Sequence, residues 1–139
     1  GRAAVVTGAT KGLGRDAALL LAEEGARVVA VGRDEADGRS LEGEAAGLPG
    51  EVAFLAGDVR DESTHDAAVD LARERFGRLD AYVNNAGILG PEGPLHETTV
   101  EAWEEVNAVN MRGTFLGCRA AIRAMREAGG GSIVNVGSI

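Results

Sequence analysis

The hydrophobic positions of this chain fall into short β-branched runs separated by longer stretches with helical spacing. Ala3–Val6 is an apolar run that stops at Thr7-Gly8, and Arg27–Val31, Val52–Ala56, Leu79–Asn84 and Ser132–Val136 repeat the pattern. Runs of this kind, without polar alternation, predict strands buried on both faces. Between them, Leu13, Ala17, Leu20, Leu21 and the small residues between them give helical spacing over Leu13–Glu24, and Gly25 ends it. A helix is also predicted over roughly Ser63–Phe76, with Ala68, Leu71, Ala72 and Phe76 on one face and Gly77 as its stop. A long helix runs from about Thr99 to Ala128, with Trp103, Val106, Asn110, Gly113 and Leu116 near one side, until Gly129-Gly130-Gly131 breaks it. Asp34–Gly50 is weaker, because its glycines at 38, 43, 47 and 50 predict a short or irregular crossover helix.

Buried strands alternating with helices predict an α/β fold with a doubly wound parallel sheet. Right-handed crossovers give a Rossmann arrangement of about five strands in the order 3-2-1-4-5. No internal repeat, low-complexity tract or linker interrupts the chain, so residues 1–139 read as one domain.

Composition narrows the function classes. The chain has 139 residues, 45% hydrophobic and 26% charged, enough to bury a core. A formal charge of −8 argues against nucleic-acid partners and against an anionic membrane surface, although one local phosphate pocket remains compatible with it. No apolar run approaches a bilayer span, and the N-terminus lacks signal-peptide features. A single cysteine, Cys118, excludes an intrachain disulfide framework and fits a reducing cytoplasm. His65 and His96 have no metal-like partners in sequence and read as surface residues, so no metal site is expected. Cys118 and Trp103 read as packing residues.

The chemistry starts at Thr7-Gly8-Ala9-Thr10-Lys11-Gly12-Leu13-Gly14, which joins the first strand to the first helix. Glycines there let a phosphate approach the backbone, and the first-turn amides and dipole of the helix attract it. The spacing is T-G-x-x-x-G-x-G, not the general dinucleotide fingerprint. Further on, Asp58-Val59 follows the third strand, Asn84-Asn85-Ala86-Gly87 follows the fourth, and Asn110 lies in the long helix after Trp103. Gly131-Ser132-Ile133-Val134-Asn135-Val136-Gly137-Ser138 forms the last segment.

These motifs, in this order and each at a strand end, resemble the short-chain dehydrogenase/reductase family. The resemblance implies hydride transfer between a nicotinamide cofactor and a small carbonyl or alcohol substrate. It assigns cofactor contacts to Gly8, Thr10, Lys11, Gly12, Leu13, Gly14, Asp58, Val59, Asn85, Ala86 and Gly87. It makes Ser138 the catalytic hydroxyl that hydrogen-bonds the substrate oxygen, and Asn110 the holder of a water in the proton relay. That role for Asn110 needs a distorted helix, so that its carbonyl or side chain can reach inward. The family's Tyr-x-x-x-Lys pair would fall beyond Ile139, so the chain resembles the family's N-terminal, cofactor-binding portion. The only tyrosine, Tyr82, lies inside a strand and cannot take that place. Non-catalytic nucleotide binding is therefore the alternative reading, and assembly through the long helix a third.

Cofactor choice is read after the second strand. NAD-preferring members place an acid there to bind the ribose hydroxyls. Here the position is Gly32, followed by Arg33, which could pair with a 2′-phosphate, and Lys11 adds a second charge. NADP(H) is favoured over NAD(H), with Asp34 as the competing ribose ligand. Homo-oligomers are expected from the apolar edge strand and from a long-helix stripe around Val106, Val109 and Leu116.

Overall fold

The computed structural model describes residues 1–138. Five parallel strands, β1 (Ala3–Thr7), β2 (Arg27–Gly32), β3 (Glu51–Ala56), β4 (Ala81–Asn84) and β5 (Ser132–Asn135), form one sheet. Their order is β3-β2-β1-β4-β5. Helices α1 (Gly12–Glu23), α2 (Glu35–Ala45) and α3 (Glu62–Phe76) make the first crossovers, and α4 (Val100–Asn107) and α5 (Gly113–Ala128) make the last. The expected doubly wound fold is the one observed.

Side chains of the central strands alternate between two cores, as a two-residue period requires. Val5, Val29 and Val31 pack with Ala68, Ala72 and Phe76 of α3 and with α5. Val6, Val28 and Ala30 point the other way, toward Ala18 and Ala22 of α1 and Leu41 of α2. All of β1 is buried, so it is the spine from which the chain winds first one way and then the other.

Several details depart from the sequence reading. The buried face of α1 is Gly14, Ala18 and Ala22, whereas Leu13 and Leu20 are 64% and 58% exposed. Small residues at a four-residue spacing bring the helix axis close to the sheet, and the larger leucines are left outside. The second crossover helix is regular, not irregular. Asp34 caps it by accepting from the Asp37 amide at 2.9 Å. Gly38 lies against the Phe54 ring, where a β-carbon would collide, so this glycine serves close packing and does not break the helix. The long helix is two helices joined by a π turn over Ala108–Arg112. Trp103 is 59% exposed and anchors no core. Val109 and Leu116 are buried, and the exposed large apolar side chains of this layer are Val100, Trp103, Met111, Phe115 and Ile122. His65 is 1% exposed, not a surface residue. No helix among the described residues is long and apolar enough to cross a membrane.

Candidate functional site

The chain leaves β1 for one half of the sheet and returns through β4 to the other, which opens a crevice at the carboxyl ends of the strands. A cleft of about 660 Å³ lies there. The glycine turn forms one wall, the end of β2 another, the Gly57-Asp58-Val59 turn a third, and Ala86-Gly87-Ile88 the fourth.

The glycine turn is built for close approach. Gly8 and Gly12 have φ of +63° and +52°, a region costly for residues with a β-carbon. A β-carbon on Gly8 would lie 2.8 Å from the Cα of Ala86. Gly14 touches both the Gly8 carbonyl and the Asn85 side chain, so α1 starts pressed onto the β1–β4 junction. Lys11 occupies the cap position of α1 but places no side-chain acceptor on the first-turn amides. Those donors and the positive end of the helix dipole are thus left to an external anion.

Thr7 connects this turn to the segment after β4. Its hydroxyl accepts from the amides of Asn85 and Ala86, both at 3.1 Å, and donates to the Val83 carbonyl at 3.4 Å. Asn85 answers by donating its side-chain amide to the carbonyls of Thr7, at 3.0 Å, and Gly8, at 3.2 Å. Neither Thr7 nor this reciprocal latch was among the sequence candidates. A β-branched hydroxyl immediately before a glycine turn was the available signal.

Asp58 lies on the cleft wall with its carboxylate already engaged. Both oxygens accept from the Arg60 guanidinium, at 2.7 to 3.1 Å, and Oδ1 also accepts the Arg60 amide at 2.9 Å. The Arg60 hydrogen bonds hold the carboxyl below its ordinary value against the opposing effect of burial, and the nearby Arg33 charge adds to them. Arg60 continues to Glu105 of α4 at 2.9 Å, and Glu105 itself lines the cleft. Arg33 is exposed at the mouth and makes no hydrogen bond or ion pair among the described residues. Lys11 is different: its Nζ pairs with Asp37 at 3.1 Å. Asp34, the competing ribose ligand, uses Oδ1 to cap α2.

Of the sequence candidates, Gly8, Thr10, Lys11, Arg33, Asp58, Val59, Ala86 and Gly87 line the cleft. Gly12, Leu13 and Gly14 form the start of α1 beside it, and Asn85 stands behind the wall. Asn110 and Ser138 are outside the lining. Asn110 sits in the π turn, as its expected role required of the helix. Its carboxamide accepts from the Ile88 amide at 2.8 Å and donates to the Ile88 carbonyl at 2.9 Å. Its own carbonyl accepts from the Thr114 hydroxyl at 2.8 Å. Ser138 is exposed, past the end of β5 at the carboxyl side of the sheet. Tyr82 is buried beside His65, and burial pushes its phenol well above the ordinary value.

Known proteins are similar to this chain in sequence and fold. The chain is 46% identical over 139 residues to cis-4-hydroxycyclohexanecarboxylate dehydrogenase of Sinomonas cyclohexanicum, covering 99% of this chain and 55% of that protein. A short-chain type dehydrogenase/reductase from Mycobacterium ulcerans superposes with a TM-score of 0.95 at 33% identity, over 99% of this chain and 51% of that one. A metagenomic short-chain oxidoreductase solved in complex with NADP gives a TM-score of 0.91 at 37% identity, over 99% and 62%. The chain thus spans about half the length of the relatives it matches. The short chain dehydrogenase family profile covers residues 2–139, and with the strand order and the glycine turn this places the chain in that family.

Proposed function

We propose that this chain is the NADP(H)-binding portion of an oxidoreductase that interconverts a small carbonyl compound and its alcohol. The observation that carries the reading is the cleft itself. It opens at the switch point between β1 and β4, with uncapped α1 amides on one side and, on the other, Arg33, which pairs with none of the described residues. That combination fits a dinucleotide with a 2′-phosphate: the amides suit a pyrophosphate and the guanidinium a bidentate phosphate contact. The relative solved with NADP supports the same choice.

When bound, the nicotinamide supplies or accepts the hydride. Within this chain, Gly8, Gly12 and Gly14 bring the backbone close to the pyrophosphate, and Asp58 and Val59 border the nucleotide base. Ala86 and Gly87 form the wall that the Thr7 hydroxyl holds in place. Ser138 donates its hydroxyl to the substrate oxygen, and Asn110 fixes the Ile88 segment while its π turn redirects the helix backbone. Copies associate through the uncovered side of α4, the π turn and α5, which exposes Trp103, Met111 and Phe115.

One observation favours nucleotide binding without turnover as the activity of this stretch alone. Its single tyrosine is sealed in the core against His65, so it offers no phenol for acid–base work.

Calorimetric titration of NADPH and NADH against wild type and Arg33→Ala tests the cofactor assignment. NADPH should lose about 1.5–3 kcal/mol, the scale of hydrogen bonds to a charged group, with NADH nearly unchanged. An equal loss for NADH would overturn it.

A further inference from the structure

His65 is one of the largest fully buried side chains, yet an apolar residue would fill a core position at less desolvation cost. Both ring nitrogens are used. Nε2 is 2.8 Å from the Val59 carbonyl and Nδ1 is 2.8 Å from the Tyr82 hydroxyl. A carbonyl can only accept, so Nε2 carries the proton, and the neutral ring then takes the Tyr82 hydroxyl as donor at Nδ1. Burial lowers the imidazole pKa, which keeps the ring neutral.

The imidazole ties a core tyrosine of β4 to the backbone of a cleft-lining residue. Val59 is clamped a second time, because its side chain would lie 3.1 Å from a β-carbon on Gly113 at the start of α5. Next to His65, the Thr64 side chain would lie 2.5 Å from a β-carbon on Gly57. The Thr64 amide donates to the Asp61 carbonyl at 3.2 Å, and the Asp61 amide to the Asp58 carbonyl at 3.1 Å. The start of α3 is thus a template beneath Gly57, Asp58 and Val59.

We infer that His65 is a positioning residue for the cleft: its hydrogen bond to the Val59 carbonyl fixes the wall that Gly57, Asp58 and Val59 present to the nucleotide base. The inference rests on the cofactor reading above and adds to it a residue that touches no ligand.

Two polar variants separate the contacts of the imidazole. His65→Gln carries an amide donor far enough out to reach the Val59 carbonyl. His65→Asn reaches the Tyr82 hydroxyl but not Val59, and Tyr82→Phe removes only the far hydroxyl. NADPH and ADP are titrated into each, thermal stability is recorded, and hydrogen exchange is followed over residues 57–61. Wild type and His65→Gln should bind alike. His65→Asn should lose roughly fivefold to tenfold for both nucleotides, the scale of one hydrogen bond, with faster exchange in the turn. Tyr82→Phe should lose stability while its affinity stays within about twofold.

Wild-type affinity in folded His65→Asn would overturn the inference and leave the cofactor reading standing. So would a Tyr82→Phe loss equal to that of His65→Asn, since affinity would then only follow stability. Failure of wild type to bind either nucleotide would overturn the cofactor reading, and this inference with it. If His65→Asn does not fold, His65→Gln decides: retained affinity and a protected turn support the assignment, and a tenfold loss refutes it.

Discussion

Replacing Thr7 with valine tests whether one hydroxyl joins the glycine turn to the segment after β4. Valine keeps the shape but deletes the acceptor shared by the Asn85 and Ala86 amides at 3.1 Å. Thr7 is 1% exposed, so no water replaces the hydroxyl where it stands. An unsatisfied buried donor costs about 1–3 kcal/mol, and here there are two. Asn85 and Ala86 are only half-buried and Ala86 borders the cleft, so solvent recovers part of that cost. The bond to Val83 at 3.4 Å is long and adds little. The expected loss is about 2–3 kcal/mol, below the full penalty for two buried donors. Guanidinium denaturation of wild type, Thr7→Val and Thr7→Ser measures it. Serine keeps the hydroxyl and gives up a methyl group, at about 1 kcal/mol. Thr7→Val within about 0.5 kcal/mol of wild type, the ordinary range of neutral surface changes, would refute the latch. The serine variant should lose less than the valine one, because it keeps the acceptor that both amides share.

Asn110→Ala should release Ile88, whose amide and carbonyl both bind the Asn110 carboxamide. Faster hydrogen exchange at Ile88 and a stability loss of about 1–2 kcal/mol are expected, and unchanged exchange would count against it. Acid should weaken the fold in two stages. His65 and Asp58 both have pKa values lowered in the folded state from 6.5 and 3.8, so each contributes stability above those values and loses it as pH falls through the folded value. Denaturation midpoints taken from neutral pH downward should show His65→Gln abolishing the first stage only.

The parts of the fold carried by local pattern were legible, and the parts carried by close packing were not. Continuous apolar runs at Ala3–Val6 and Arg27–Val31 gave central strands, because residues buried on both faces leave no alternation to misread. Gly38 was misread because a helix-weakening glycine and a close-packing glycine look identical until Phe54 is known to lie across from it. The spacing of Leu13, Ala17, Leu20 and Leu21 located α1 but not its buried face, which the close approach to the sheet gives to Gly14, Ala18 and Ala22. The π turn was not legible, because no glycine or proline within Ala108–Arg112 marks a break in the helix. Many of the cleft-lining residues were legible as a motif set, because the glycines and asparagines of that set serve backbone geometry. His65 was not: its partners are a carbonyl and a phenol distant in sequence, and nothing near it along the chain announces either.

The charges at the cleft mouth show how a chain of net charge −8 can offer a phosphate site. Acids crowd the start of α2, next to Arg33, but each has its own partner. Asp34 caps the helix, Glu35 pairs with Arg39 at 2.9 Å, and Asp37 pairs with Lys11 at 3.1 Å. These contacts spend the acids locally, and with them the charge of Lys11, so Lys11 adds less to a phosphate site than its position in the sequence suggests. Arg33 has no such partner among the described residues, and its fork of donors stays available. The reading of Arg33 as the 2′-phosphate ligand therefore depends on contact geometry and not on the overall field, which repels an anion. That field is screened over about 8 Å at physiological ionic strength, whereas a bidentate contact acts within hydrogen-bond distance and persists in salt. On that proposal, short-range complementarity at one guanidinium and at the uncapped amides of α1 outweighs a long-range repulsion that solvent ions largely remove.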